Sequence, residues 1–161
     1  MEQAQCRQAL GRLMAEESHA LNELSALLER EHGFLEANDV AALEGASRDR
    51  QRCVAKIFRI DEERRALCRD HNFPLTLEGL EQLIRWCDPN GTLASGWATC
   101  SAAAARCRHL NDRNGTLVAA RLQHVQARLG TLIDGRRETV TYGPKGACSQ
   151  TSQGRVVAVE A

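Results

Sequence analysis

Four charged side chains stand where apolar ones would be expected. Glu17 and Glu31 interrupt a run of leucines near the start of the chain, and Arg50 and Arg64 interrupt the run that follows. Carboxylates grouped inside a helical bundle can hold metal ions, but that arrangement needs Glu-x-x-His spacings from facing helices. Glu16 and His19 supply one such spacing, and no second segment supplies its partner. Ion pairing that sets the register between two helices is the simpler chemistry.

The seven cysteines are Cys6, Cys53, Cys68, Cys87, Cys100, Cys107 and Cys148. Their number is odd and no Cys-x-x-Cys occurs. Cys68 and His71 share helical i, i+3 spacing, whereas Cys107 and His109 would diverge on a helix. A tetrahedral metal site needs four placed ligands, so no metal is expected. Most of the cysteines fall on or beside apolar stripes, where a free thiol behaves as a small hydrophobe. Cys148, near Lys145, is expected to be an incidental surface thiol. No phosphate-binding loop, Gly-x-Ser-x-Gly elbow or His-Glu-x-x-His pair is present, so no catalytic residue and no cofactor are expected.

The elements that position these residues read as helices. Leu10, Leu13, Glu17, Leu21, Leu24, Leu28, Glu31 and Leu35 recur in steps of three or four, which puts them on one helical face. Val40, Leu43, Ser47, Arg50, Val54, Ile57, Asp61, Arg64, Cys68 and His71 do the same. Asn38-Asp39 lies between the runs, and either residue is a natural N-cap. The spacing predicts an antiparallel hairpin of one helix from Gln3 to Leu35 or Ala37 and another from Val40 to about Asp70. With the turn near residue 38, Glu31 and Glu17 come within reach of Arg50 and Arg64. Pro74 stops the second helix. Thr76 caps a short third helix through Trp86 or Cys87, with Leu77, Leu80, Leu83 and Ile84 as its apolar face. Asp88-Pro89-Asn90-Gly91 reads as a turn.

A fourth stripe runs Leu93, Trp97, Cys100, Ala104, Cys107, Asn111, Asn114, Val118, Leu122, Val125, Leu129, Leu132. Its phase survives Asn114-Gly115, so one helix is predicted from about Thr92 to Asp134, although a glycine there costs about 1 kcal/mol relative to alanine. The fold class is therefore all-α. A long antiparallel helical hairpin, a short helix and a long C-terminal helix make one bundle domain over 1–135, and 136–161 form a flexible tail. Val156 to Val159 is the one stretch of the tail with strand character.

Composition narrows the function. Lys plus Arg and Asp plus Glu both total 21, so net charge is zero and a nucleic-acid partner is disfavoured. Residues 1–80 carry 15 acids and 11 bases, whereas residues 81–161 carry 6 acids and 10 bases, a split that suits either attraction between the two halves or an acidic partner for the second. Aromatics are only 4%, so the core must be built from Leu, Ala, Val, Ile and Cys. No apolar run is long enough to cross a membrane. The N-terminus lacks the basic and apolar regions of a signal peptide, so a cytoplasmic location is expected. Ala102 to Ala105 make a shallow trough on the fourth helix, followed by the strongly apolar Leu117, Val118, Leu122, Val125 and Leu129. A helix of that length spans about 65 Å, more than the hairpin can cover. The apolar face left over suits an amphipathic partner helix.

Two stretches go beyond generic helix. Asn111-Asp112-Arg113-Asn114-Gly115-Thr116-Leu117-Val118 and Thr141-Tyr142-Gly143-Pro144-Lys145-Gly146, in this order near the end of a small helical chain, resemble the FlgN family of flagellar type III export chaperones. The Leu/Glu stripe, Arg50 and Arg64-Arg65 fall where that family has similar residues. The resemblance implies a cytosolic chaperone that binds the C-terminal amphipathic helix of hook-associated (hook–filament junction) proteins and delivers them to the flagellar export gate. By the same resemblance Asn114, Leu117, Val118, Arg121, Leu122, Val125 and Leu129 line the cargo groove, and Tyr142 and Gly143 dock to the cytosolic domain of the gate. The rival readings are a dimerising coiled-coil adaptor, which leaves a homodimer open, and a helical-bundle metalloprotein.

Overall fold

Two asparagines in the left-handed region punctuate the first half of the chain. Helix α1 runs Gln3–Ala37 and helix α2 runs Val40–Asp70. After α1, Asn38 adopts φ 59°, its N–H donates to Leu35 O, and the next N–H, of Asp39, donates to Phe34 O. These two bonds form a Schellman motif, which satisfies carbonyls the helix end leaves open. Asp39 then accepts the Ala42 N–H at 3.0 Å and caps α2. The two-residue reversal thus closes one helix and opens the next. The device recurs after α2, where Asn72 adopts φ 60° and Phe73 N–H donates to Cys68 O at 2.8 Å.

The computed structural model describes residues 2–138, 140–142 and 148–150, with side chains over 2–133. Helix α3 is Leu77–Cys87, capped by Thr76, whose hydroxyl accepts the Gly79 N–H at 3.1 Å. Gly79 has to be glycine, because a Cβ there would come within 2.0 Å of Pro74 O. Helix α4 is Ala94–Glu138 and continues through Asn114-Gly115 as the stripe predicts. It starts two residues later than expected and ends four later. Two short strands, β1 (Val140–Tyr142) and β2 (Cys148–Gln150), pair antiparallel with Tyr142 opposite Cys148. The sequence reading expected no ladder there. The other tail residues, with the strand-like 156–159, lie outside the described residues. The fold is all-α, as expected.

The chain groups into two compact units, residues 1–115 and 116–161. In the first unit α1 is the central element. The antiparallel register expected for α1 and α2 holds, with Arg64 Nη1 2.6 Å from Glu17 Oε2 and Arg50 Nη1 3.4 Å from Glu31 Oε2. The apolar stripe of α1 is buried as read, apart from the half-buried Leu24. That of α2 is out of phase with the expectation: the buried residues are Ala46, Cys53, Ile60, Leu67 and Cys68, while Val40 is exposed. Ala46, Cys53, Ile60 and Leu67 are spaced by seven, so a coiled-coil seam replaces the broader stripe. On α3, Leu77 faces solvent, and Gly79, Leu80, Leu83 and Cys87 pack inward. The main core gathers Cys6, Leu10, Leu13, Ile60, Leu67, Leu80 and Leu83 where the end of α2 and all of α3 meet the start of α1.

Helix α4 enters beside the start of α1 and runs parallel to it. Asp88 arranges the entry: its carboxylate accepts the Thr92 hydroxyl and the Leu93 N–H, both at 2.6 Å. A ladder with a seven-residue repeat then locks the two helices. Cys100 S–H donates to Met14 O at 3.0 Å, with Ser18 Oγ 3.1 Å from the sulfur. One heptad on, Cys107 donates to Leu21 O and lies 3.2 Å from Ser25 Oγ. Another heptad on, Asn114 Nδ2 donates to Leu28 O at 2.8 Å and its Oδ1 meets His32 Nδ1 at 3.0 Å. Asn111, placed on the buried stripe by sequence, is exposed, and Leu110 is buried instead.

Candidate functional site

The chemistry-bearing residues of the first unit are occupied by structure. Glu31 keeps 7% of its side-chain surface and Glu17 keeps 12%, each beside its arginine. Burial works against the charge on Arg64, but the carboxylates of Asp61 and Glu17 outweigh it, and its pKa is raised. Burial likewise works against Asp61, whose bonds from Arg64 and Arg65 nonetheless hold its pKa down. These are charge-assisted hydrogen bonds between α1 and α2 and along α2. His19 of the Glu16-x-x-His19 spacing lies 3.6 Å from Glu23.

The thiols follow the same logic. Cys6, Cys53, Cys68, Cys87, Cys100 and Cys107 are free and buried. Burial pushes Cys6 up to about 12, with nearby Cys87 and Cys68 adding to the rise. Burial also raises Cys53, Cys68, Cys87 and Cys100. Thiols held protonated are poor nucleophiles. Among the described residues no group of three or more His, Cys, Asp or Glu is placed to hold a metal. The side chain of Cys148 lies outside the described residues.

The second unit presents a different surface. On α4, Val118, Leu122, Val125, Leu129 and Leu132 follow one another by alternating steps of four and three, the spacing of a coiled-coil seam. Their exposures are 49, 56, 51, 54 and 53%, and Ile133 beside them is 52% exposed. A single exposed leucine is ordinary, but five in register along one face form a contiguous apolar strip. Leu117 and Arg121 flank the strip and are half-buried. Of the residues expected to line a groove, Val118, Leu122, Val125 and Leu129 thus share one open face. Asn114 is 5% exposed and has both ends of its amide committed to α1 within the first unit. Tyr142 lies in β1, with its side chain outside the described residues, as is the whole of Gly143.

A family model described as FlgN protein matches residues 1–150. The chain belongs to the FlgN family. No curated protein and no solved structure matches it. FlgN membership supports a chaperone role in flagellum assembly, and no described helix is long and apolar enough to cross a membrane.

Sequence reasoning missed the α1–α4 ladder. Its signal was present, since Ser18, Ser25 and His32 repeat at the same interval as Cys100, Cys107 and Asn114. Small polar residues spaced by seven are easily passed over in a search for leucines. It also missed Phe58, which is 68% exposed on α2.

Proposed function

We propose that the chain is a cytosolic export chaperone. It receives the C-terminal amphipathic helix of hook-associated proteins along the α4 strip and hands the cargo to the flagellar export gate through the Tyr142-Gly143 segment. The observation that carries this reading is the row of five half-exposed apolar side chains from Val118 to Leu132. Seam spacing fits a helical occupant better than an extended one, because an amphipathic helix offers anchors at the same three- and four-residue intervals. Covering the strip would shield the cargo's own apolar face until export. In this reading Leu117, Val118, Arg121, Leu122, Val125 and Leu129 contact cargo, and Asn114 joins them as the residue that fixes α4 on α1.

Calorimetric titration of the full chain with a peptide of a hook-associated protein's C-terminal helix tests the proposal. Expected is saturable binding with a negative heat-capacity change, the marker of apolar burial. Absence of binding would remove the proposal. The seam spacing also favours a second reading, self-association through α4. Sedimentation at several concentrations separates the two, since a dimer sealed by the strip would have to dissociate to take cargo.

A further inference from the structure

A second helix-sized vacancy lies in the first unit. Helices α2 and α4 both pack on α1, and α3 covers only the end near the start of α1. Along the remainder, a hollow of about 400 Å³ opens between α2 and α4 with α1 as its floor. Leu24 forms the floor, Val54, Ile57 and Phe58 one wall, and Ala104 and Arg108 the other. A hollow of about 450 Å³ that extends toward Arg50, Asn111 and Asp112 shares Leu24, Val54, Cys107 and Arg108 with it. From Arg50 to Asp61 the α2 wall is about 16 Å long at 1.5 Å per residue, which is about three turns of helix. The small side chains of Ala103 and Ala104 keep the α4 wall low, and Phe58 stands exposed at the edge.

Charge selects the occupant. Asp61 and Arg64 border the first hollow and neutralise each other at 3.0 Å. Arg108 also borders it, yet makes no ion pair or hydrogen bond among the described residues. A cation left unpaired beside an apolar trough attracts a carboxylate, and pairing there is stronger once a partner excludes water.

We propose that this groove docks an acidic amphipathic helix from a partner protein, which completes a four-helix bundle with α1, α2 and α4. The apolar face of the partner covers Leu24, Val54, Ile57, Phe58 and Ala104, and a carboxylate at its centre pairs with Arg108. The site stands independently of the α4 strip.

The test uses the full chain and a fluorescently labelled designed helix of about 21 residues, six turns, with a Leu/Ala face and one central Glu. Its twin carries Lys at that position. Anisotropy titration should show the Glu peptide bound at least tenfold more tightly than the Lys peptide. Arg108→Glu should reverse that preference. Phe58→Asp, at a site exposed enough to leave folding intact, should weaken the Glu peptide at least tenfold. Measured in the Val125→Asp protein, where the α4 strip is disabled, the same preference for the Glu peptide should persist, which separates this groove from the strip. No binding, equal binding of the two peptides, indifference to Arg108→Glu or Phe58→Asp, or loss of the Glu preference in Val125→Asp would each overturn the proposal.

Discussion

Val125→Asp isolates the α4 strip, because the free protein barely uses that side chain. Val125 is 51% exposed in the described chain, so its replacement removes little packing. Exposed substitutions of this kind stay within about 0.5 kcal/mol of the parent. In the complex the same residue would be covered. Fully burying a valine or leucine side chain contributes about 1.5–3 kcal/mol, so covering the remaining half of Val125 contributes about 1 kcal/mol. The aspartate adds a second penalty, because its carboxylate would face an apolar helix with no partner. A buried polar group without compensation costs about 1–3 kcal/mol on protein scales. The sum is about 3 kcal/mol, and with 1.4 kcal/mol per tenfold it corresponds to about a hundredfold weaker binding. Calorimetry with a hook-associated C-terminal peptide reads the affinity, and circular dichroism with a thermal melt checks that helicity and midpoint are retained. Unchanged affinity in a folded Val125→Asp protein would refute the reasoning and move the cargo surface elsewhere. Val118→Asp, at 49% exposure, should behave alike.

Three further outcomes are expected. Tyr142→Ala should keep cargo affinity but lower secretion of hook-associated proteins from cells, and equal secretion would take Tyr142 out of delivery. Arg64→Ala should destabilise the first unit by about 3 kcal/mol in a urea titration, because Glu17, with 12% of its side chain exposed, is left without its partner. A loss under about 1 kcal/mol would mean that the pair sets register without adding stability. Asp88 tests the acid limb. The Thr92 hydroxyl and the Leu93 N–H hold its pKa below the ordinary 3.8, so its contribution is complete above the unfolded value and is lost as pH falls through the lower folded one. The stability gap between wild type and Asp88→Asn should therefore shrink from pH 6 to pH 3, and a constant gap would exclude Asp88 as the titrating group.

Pattern made some features of the first unit legible. Leucines in steps of three and four announced α1, and the residues at the helix ends were readable because caps and breakers act locally. Thr76 satisfies a backbone donor three residues away, and Pro74 restricts the residue before it. The Glu17–Arg64 and Glu31–Arg50 pairs were legible for a related reason: a tight turn at Asn38 makes antiparallel register a matter of counting. The α2 seam was misread because it is built from Ala46, Cys53, Ile60 and Leu67, of which only two are strongly apolar, while Val40 and Ile57 drew the eye to a neighbouring face.

The chain alone therefore determined that the four helices of the described residues form, where the first three end, and that the last runs through Asn114-Gly115, since each depends on residues within one or two turns. Which faces those helices bury was decided by tertiary packing. The parallel set of α4 on α1 rests on thiol and amide bonds between residues more than eighty positions apart, and no local preference encodes such a pairing. The groove between α2 and α4 exists only because both lean on α1. Arg108 becomes informative only once the ion pairs around it are seen to be complete without it, because an unpaired charge is a property of neighbours that the order of residues does not reveal.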